Sequence, residues 1–338
     1  MKQRRLGRTG LMVSEIGMGT MTFGSMADEA TSLRILDRAF DAGVDFLDIA
    51  EIYPVPPDPS YAGRSEEICG KWLADKPRDA VIVASKIAGP TGGWFQGPVR
   101  HGKTGLDRHQ IETAVEASLR RIGTDYLDLY QTHWPDAGLP IEETLEGLDR
   151  LVESGKVRAV GCSNESCAGL MESLWVADRA GTARYETIQN NFSLLNRRFE
   201  DELAAACRKH DVSLLAYSPL AAGVLSGKYR EGAWPEGARF SFYREHSPRT
   251  QAMVKRFVNP RCLEASDRFA AVAAEHDLAP VTFATAWTLS HRFVGSSLIG
   301  ATSPEQLEES LAAAEVTLDP AALQACDAIS REIPYPLG

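Results

Sequence analysis

One pattern constrains this chain more than any other: short β-branched or aliphatic runs alternate with longer segments whose apolar residues recur at three- and four-residue spacing, eight times over. The runs lie at 15–19, 44–48, 80–85, 126–131, 157–162, 187–190, 212–217 and 297–299. The helical patterns lie at 28–42, 65–75, 107–122, 141–155, 165–180, 197–210, 281–292 and 304–314. The runs read as continuously apolar, as strands of a parallel sheet do when both faces are covered. Eight strand-helix units close naturally as an α/β (β/α)8 TIM barrel, and 338 residues suits one such domain, so a single domain over 1–338 is predicted. Thr302-Ser303-Pro304-Glu305 supplies a polar cap region and an early proline to the last helix.

Three segments are too long for a minimal barrel. Residues 218–260, rich in Gly, Pro, Arg and Ser, are predicted to form a long loop covering the site, with 89–105 and 54–63 as shorter ones. All three follow strand ends, where barrel enzymes build their active sites.

Composition narrows the function classes. A net charge of −10 argues against nucleic acid as a partner, since phosphate binding needs a concentrated basic surface. No window approaches the ~20 apolar residues of a membrane span, and Met1 to Arg8 lacks the apolar stretch of a signal peptide, so a cytoplasmic protein is expected. Cys69, Cys162, Cys167, Cys207, Cys262 and Cys326 are scattered, which suggests free thiols and no metal site.

Four polar residues end or follow successive strand runs: Asp48, Tyr53, Lys86 and His133. In a barrel they converge on one mouth. The set suits carbonyl reduction, with Tyr53 as proton donor. Its phenol, of ordinary pKa ~10, is expected to be lowered by the Lys86 ammonium. Asp48 would hold that ammonium, and neutral His133 would donate to the substrate oxygen as charge develops. Taken singly, Asp48-Lys86 reads equally as a structural ion pair. The residues for a metal site or a serine nucleophile elbow are missing, but on these positions alone a Schiff-base aldolase built on Lys86 stays open.

More specific motifs run through the chain. Gly43-Val-Asp-Phe-Leu-Asp48-Ile-Ala-Glu-Ile-Tyr53 and Lys156-Val-Arg-Ala-Val-Gly-Cys-Ser-Asn164 resemble the two signatures of the aldo-keto reductase superfamily. Gly19-Thr-Met-Thr-Phe-Gly24, Ala84-Ser-Lys86, the segment Asp125 to His133, Gln189-Asn-Asn-Phe-Ser-Leu-Leu, Tyr217-Ser-Pro-Leu and Ile299-Gly-Ala-Thr-Ser-Pro-Glu-Gln-Leu-Glu-Glu309 match in order. Met21-Thr-Phe-Gly24, Glu51-Ile-Tyr-Pro-Val-Pro-Pro57 and His133-Trp-Pro135 look similar to the bacterial Tas-like branch, which is related to potassium-channel β subunits.

The resemblance implies that Asp48, Tyr53, Lys86 and His133 form a catalytic tetrad and that the cofactor is NADPH/NADP+. Ser163, Asn164 and Gln189 match carboxamide-binding positions, and Tyr217 the aromatic that stacks on the nicotinamide. Thr20, Met21, Ser218 and Pro219 fall at cofactor-contacting positions. Leu220 and Gly223 to Lys228 resemble the loop over the pyrophosphate, and Lys228 with Arg239 the pair that meets the adenosine 2′-phosphate. Gly300, Thr302, Gln306 and Glu309 match the last anion and adenine positions, where Ser310 departs from the usual Asn. No glycine-rich dinucleotide fingerprint follows a strand, so barrel loops rather than a separate domain must hold the nucleotide.

A pocket of Met21, Phe23, Tyr53, Trp94, Phe95, His133 and Trp134 would be aromatic with one polar end, fitting a small-molecule carbonyl substrate. Neither nucleic acid nor membrane is expected as a partner, and a homo-oligomer stays open. The channel-related resemblance keeps a second class in view, a nucleotide-sensing regulatory subunit with slow turnover. An aldolase would leave Ser163, Asn164, Gln189 and the 300–303 segment unexplained.

Overall fold

The computed structural model describes residues 1–90 and 97–337. An antiparallel hairpin of β1 (Gln3–Arg5) and β2 (Met12–Ser14) precedes eight parallel strands. These are β3 (Ile16–Gly19), β4 (Phe46–Asp48), β5 (Ile82–Ile87), β6 (Leu127–Thr132), β7 (Val157–Ser163), β8 (Tyr185–Asn191), β9 (Ser213–Tyr217) and β10 (Val294–Ile299). Each pairs with the next and β10 returns to β3, closing an α/β (β/α)8 barrel in the predicted order. Around it lie α1 (Glu29–Asp41), α2 (Arg64–Leu73), α3 (Arg108–Ile122), α4 (Ile141–Glu153), α5 (Cys167–Ala180), α6 (Leu203–His210), α7 (Arg239–His246), α8 (Pro248–Phe257), α9 (Pro260–Glu275), α10 (Pro280–Leu289), α11 (Glu308–Ala312) and α12 (Pro320–Glu332). Among the described residues no helix is long and apolar enough to cross a membrane.

Strand alternation explains how one barrel has an oily base and a polar mouth. Residues two apart share a strand face. Phe46, Ala84, Leu129, Ala159, Leu215 and Leu298 pack together inside the barrel. Two residues further along the same faces come Asp48, Lys86, Gln131, Gly161, Tyr217 and Gly300. The intervening residues, among them Leu47, Val83, Tyr130, Val160, Ile188 and Leu214, belong to the larger core between strands and helices. Leu6, Leu11 and Val13 of the hairpin complete the inner cluster and plug the base.

Several helices start on matching caps. Asp28, Asp107 and Ser166 accept from Thr31 N, Gln110 N and Gly169 N, each such cap contributing about 1 kcal/mol.

The 218–260 segment corrects the expectation of a long loop. Ser247 and Thr250 form a capping box around Pro248 at the start of α8, and Asn259 caps a helix that opens on Pro260. The Ser and Pro residues that read as loop signals are therefore helix starts. Asp319-Pro320 opens α12 in the same way. The expected 304–314 helix is divided instead, into a 3-10 turn over Pro304–Leu307, α11, and a second 3-10 turn over Ala313–Glu315.

Candidate active site

The strand ends bring the four expected polar residues together. Lys86 Nζ is fully buried and donates to Asp48 Oδ2 at 2.7 Å, to the Ile49 carbonyl at 2.8 Å and to Tyr53 Oη at 3.3 Å. The Tyr53 and His133 rings meet edge to face, their centroids 5.7 Å apart. Trp134 stacks on His133 at 4.0 Å, and His133 Nδ1 is buried with no hydrogen-bond partner among the described residues. The lysine thus completes its donors on a carboxylate, a carbonyl and a phenol. This is how a buried ammonium avoids the large cost of desolvation without partners.

Electrostatics differ from the expectation in one respect. Burial, followed by the Asp48 carboxylate, pushes the Tyr53 phenol well above its ordinary range, with Arg239 opposing. Tyr53 is therefore held protonated rather than eased toward phenolate, because desolvation disfavours the charged form more than nearby cations favour it. Burial also lowers the Lys86 ammonium, against the pull of Asp48. It holds His133 well below the usual histidine value, with Lys86 adding to the effect, so the imidazole is neutral. A protonated phenol beside an ammonium and a neutral imidazole can deliver a proton and then stabilise the anion left behind.

Next to this cluster sit the residues expected to hold the nicotinamide. Gln189 Nε2 donates to Asp48 Oδ1 at 2.7 Å, and Ser163 Oγ to the Gln189 carbonyl at 2.7 Å. Asn164 takes a left-handed φ of 56° and donates to the His133 carbonyl at 2.9 Å. Its side-chain oxygen accepts from Tyr217 Oη at 2.8 Å, and burial pushes the Tyr217 phenol up to about 12. Thr20 is buried, donates to the Asp48 carbonyl at 3.0 Å and accepts from Ser65 Oγ at 2.8 Å, so it braces the end of β4.

Beyond β9 the backbone makes an unusual turn. Ser218, Ala221, Ala222, Gly223 and Gly227 all have positive φ, between 47° and 92°. Such turns aim backbone N–H groups at a concave surface suited to anions. Gly223 takes a φ of 92°, where an L side chain would be strained, so the turn needs glycine there. Pro219 and Leu220 lie in the same turn. Burial, and after it the neighbouring Arg239, lowers the Lys228 ammonium, so these two cations face the same region. Arg239 Nη1 lies 3.4 Å from Met21 Sδ, which brings the start of α7 to the barrel mouth.

The remaining positions are mixed. Met21 and Trp134 pack with Ala50, Ile52, Tyr53, Ala88, Val55 and Val99, making an apolar wall beside the phenol. Phe23 is fully buried in the main core and does not join that wall. Trp94 and Phe95 lie outside the described residues. Thr302 and Gln306 bond each other, Thr302 N to Gln306 Oε1 at 3.0 Å, at the mouth beyond β10. Gly300 sits between them and the strand end. Glu309 is exposed, whereas Ser310 is buried, with its side chain turned into the protein.

Two residues escaped the sequence reading. Glu51 is buried between Asp48 and Tyr53, and Arg100 reaches it from 49 residues away. An acidic residue inside an otherwise apolar motif was a signal for Glu51. Nothing local marked Arg100.

Comparison with known proteins gives a consistent family. The model described as "Aldo/keto reductase family" matches residues 15–331. The chain is 39% identical over 358 residues to "Protein tas" of Escherichia coli, covering 99% of each. It is 32% identical over 340 residues to "NADH-specific methylglyoxal reductase" of the same species, covering 95% of this chain and 96% of the other. It is 31% identical over 320 residues to "Probable voltage-gated potassium channel subunit beta" of Arabidopsis thaliana, covering 94% and 92%.

Proposed function

The chain belongs to the Aldo/keto reductase family, and from that premise we propose that it is an NADPH-dependent oxidoreductase reducing aldehyde or ketone carbonyls to alcohols. The observation that carries this reading is a buried ammonium, Lys86, bonded to Asp48 on one side and to the protonated phenol of Tyr53 on the other. When bound, the nicotinamide supplies the hydride. Tyr53 passes its proton to the carbonyl oxygen, and Lys86 stabilises the phenolate that results. Asp48 fixes the position of Lys86. Neutral His133 donates to the oxygen while charge develops there. Run backward, with Tyr53 as base, the same groups oxidise an alcohol.

The cofactor reading rests on fit. Ser163, Asn164 and Gln189 would hold the carboxamide, Tyr217 would stack on the ring, and the turn from Ser218 to Gly227 would lie against the pyrophosphate. Lys228 and Arg239, two cations close enough to repel one another, suit a 2′-phosphate and so favour NADPH. Gly300, Thr302, Gln306 and Glu309 would face the adenosine. The apolar wall of Met21, Val55 and Trp134 suits carbonyls with flat or aliphatic groups. Unpaired cysteines fit a reducing, cytoplasmic compartment.

The test is Tyr53→Phe. It is expected to keep nucleotide affinity within about twofold while kcat for carbonyl reduction falls by about 10² or more. A variant with near-parental turnover removes Tyr53 from the role of acid. A second reading, a nucleotide-sensing regulatory subunit, is motivated by the 31% identity to a potassium-channel β subunit. Tight NADPH binding with no oxidation by a varied set of carbonyls would favour it.

A further inference from the structure

We infer that Glu51 and Arg100 are positioning residues, a buried clamp that fixes Tyr53 relative to Lys86; its catalytic significance rests on the reading of those two groups as proton donor and partner. Arg100 Nη1 lies 2.6 and 2.5 Å from the two Glu51 carboxylate oxygens, and Nη2 donates to the Ala88 carbonyl at 2.7 Å. The Ala88 N–H donates back to Glu51 Oε1 at 2.6 Å. One guanidinium therefore joins a carboxylate two residues before Tyr53 to the backbone two residues after Lys86. Both backbone polar groups of Ala88 are engaged.

Lys86 Nζ holds Asp48 and the Ile49 carbonyl closely, at 2.7 and 2.8 Å, but the other links that reach Glu51 and Tyr53 from β5 are longer. The ladder bond from Glu51 N to the Lys86 carbonyl has stretched to 3.4 Å, and Lys86 Nζ to Tyr53 Oη is 3.3 Å. Past Ile49, whose N–H still donates to the Ala84 carbonyl at 2.8 Å, the pairing no longer sets the distance between the phenol and the ammonium closely. The clamp spans that gap. Its side chains are almost wholly buried, 2% exposed for Glu51 and 11% for Arg100. A buried ion pair is a poor net stabiliser, because desolvation consumes most of the attraction. What the planar guanidinium provides is fixed geometry, bonding carboxylate and carbonyl in one plane as a lysine could not. Val99, the neighbour of Arg100, packs on the same apolar cluster as Tyr53 and Ala88.

Two measurements on the full-length protein test the clamp, using Glu51→Gln, Arg100→Met and the double variant. The first needs no turnover: limited trypsin digestion reads whether Arg100 is held. In the parent the Arg100–His101 bond resists cleavage, and in Glu51→Gln it is cut at least about tenfold faster. The second is single-turnover carbonyl reduction. Each single variant is expected to be about 10- to 100-fold slower, as a small misplacement of reacting groups produces. Nucleotide affinity stays unchanged and the alkaline limb of the pH–rate profile moves. The double variant is no slower than the slower single variant, and Arg100→Lys recovers part of the rate. Unchanged cleavage overturns the clamp. Faster cleavage with rates and pH profile like the parent's overturns its positioning role. A parent that reduces no carbonyl counts against the reductase reading, and the digestion then decides the clamp by itself.

Discussion

Tyr53 and His133 owe their protonation states first to burial, and that sets how the site responds to pH. The Tyr53 phenol is raised and the His133 imidazole lowered, so neither changes charge between about pH 7 and 9. Reduction by the bound nucleotide is therefore expected to be flat across that range in a pH–rate series. A clear inflection near pH 7 that disappears in His133→Gln would contradict it. Stability carries a matching sign. Because folding depresses the His133 value, the unfolded chain binds the proton first as pH falls below about 6.5, and the fold loses stability there. His133→Gln should shrink the drop in Tm between pH 7.5 and 5.5; an unchanged drop would show that other groups govern the acid side. The clustering of these four residues was legible in the sequence because Asp48, Lys86 and His133 close or directly follow apolar strand runs, while Tyr53, five residues past its run, stood out through the motif around it. The raised Tyr53 value was not, since only the fold reveals that desolvation and the Asp48 carboxylate outweigh the Arg239 guanidinium. Arg100 was invisible because its partner lies far away in sequence.

At the scale of elements, the strands were readable and the accessory pieces were not. Three-residue strands such as β1 and β2 carry too little periodicity to notice, yet their hairpin sends Leu6, fully buried, into the base of the barrel. Leu6→Ala should cost about 2–5 kcal/mol by urea unfolding, with nucleotide affinity unchanged, because the cavity opens at the end of the barrel away from the site. A cost below about 1 kcal/mol would mean that the hairpin is dispensable. Helix α8 hides behind Ser247 and Pro248, which resemble loop residues, and α7 opens on Ala238 and Arg239 with no side-chain cap to announce it. The turn before them leads to the cofactor prediction. Lys228→Ala with Arg239→Ala should weaken NADPH by at least about tenfold while NADH changes little, since each charge-assisted bond is worth about 1.5–3 kcal/mol. Equal losses for both nucleotides would remove the 2′-phosphate from this pair.

For the whole molecule, the barrel explains why residues spread from 48 to 239 lie at one mouth, with strand ends, the 97–107 segment and the start of α7 each contributing a side chain. Family membership leaves the chemistry at that mouth to be established, because one fold hosts many functions. The relatives named above include a reductase and a channel subunit, so the central question is whether this chain turns over. The most direct measurement is single-turnover absorbance at the reduced-nicotinamide band, mixing NADPH-loaded protein with an activated aromatic aldehyde beside Tyr53→Phe. Rapid loss of the band in the parent and none in the variant is the predicted result. NADPH that binds tightly and stays reduced in both, across a varied set of carbonyls, would contradict the reductase account.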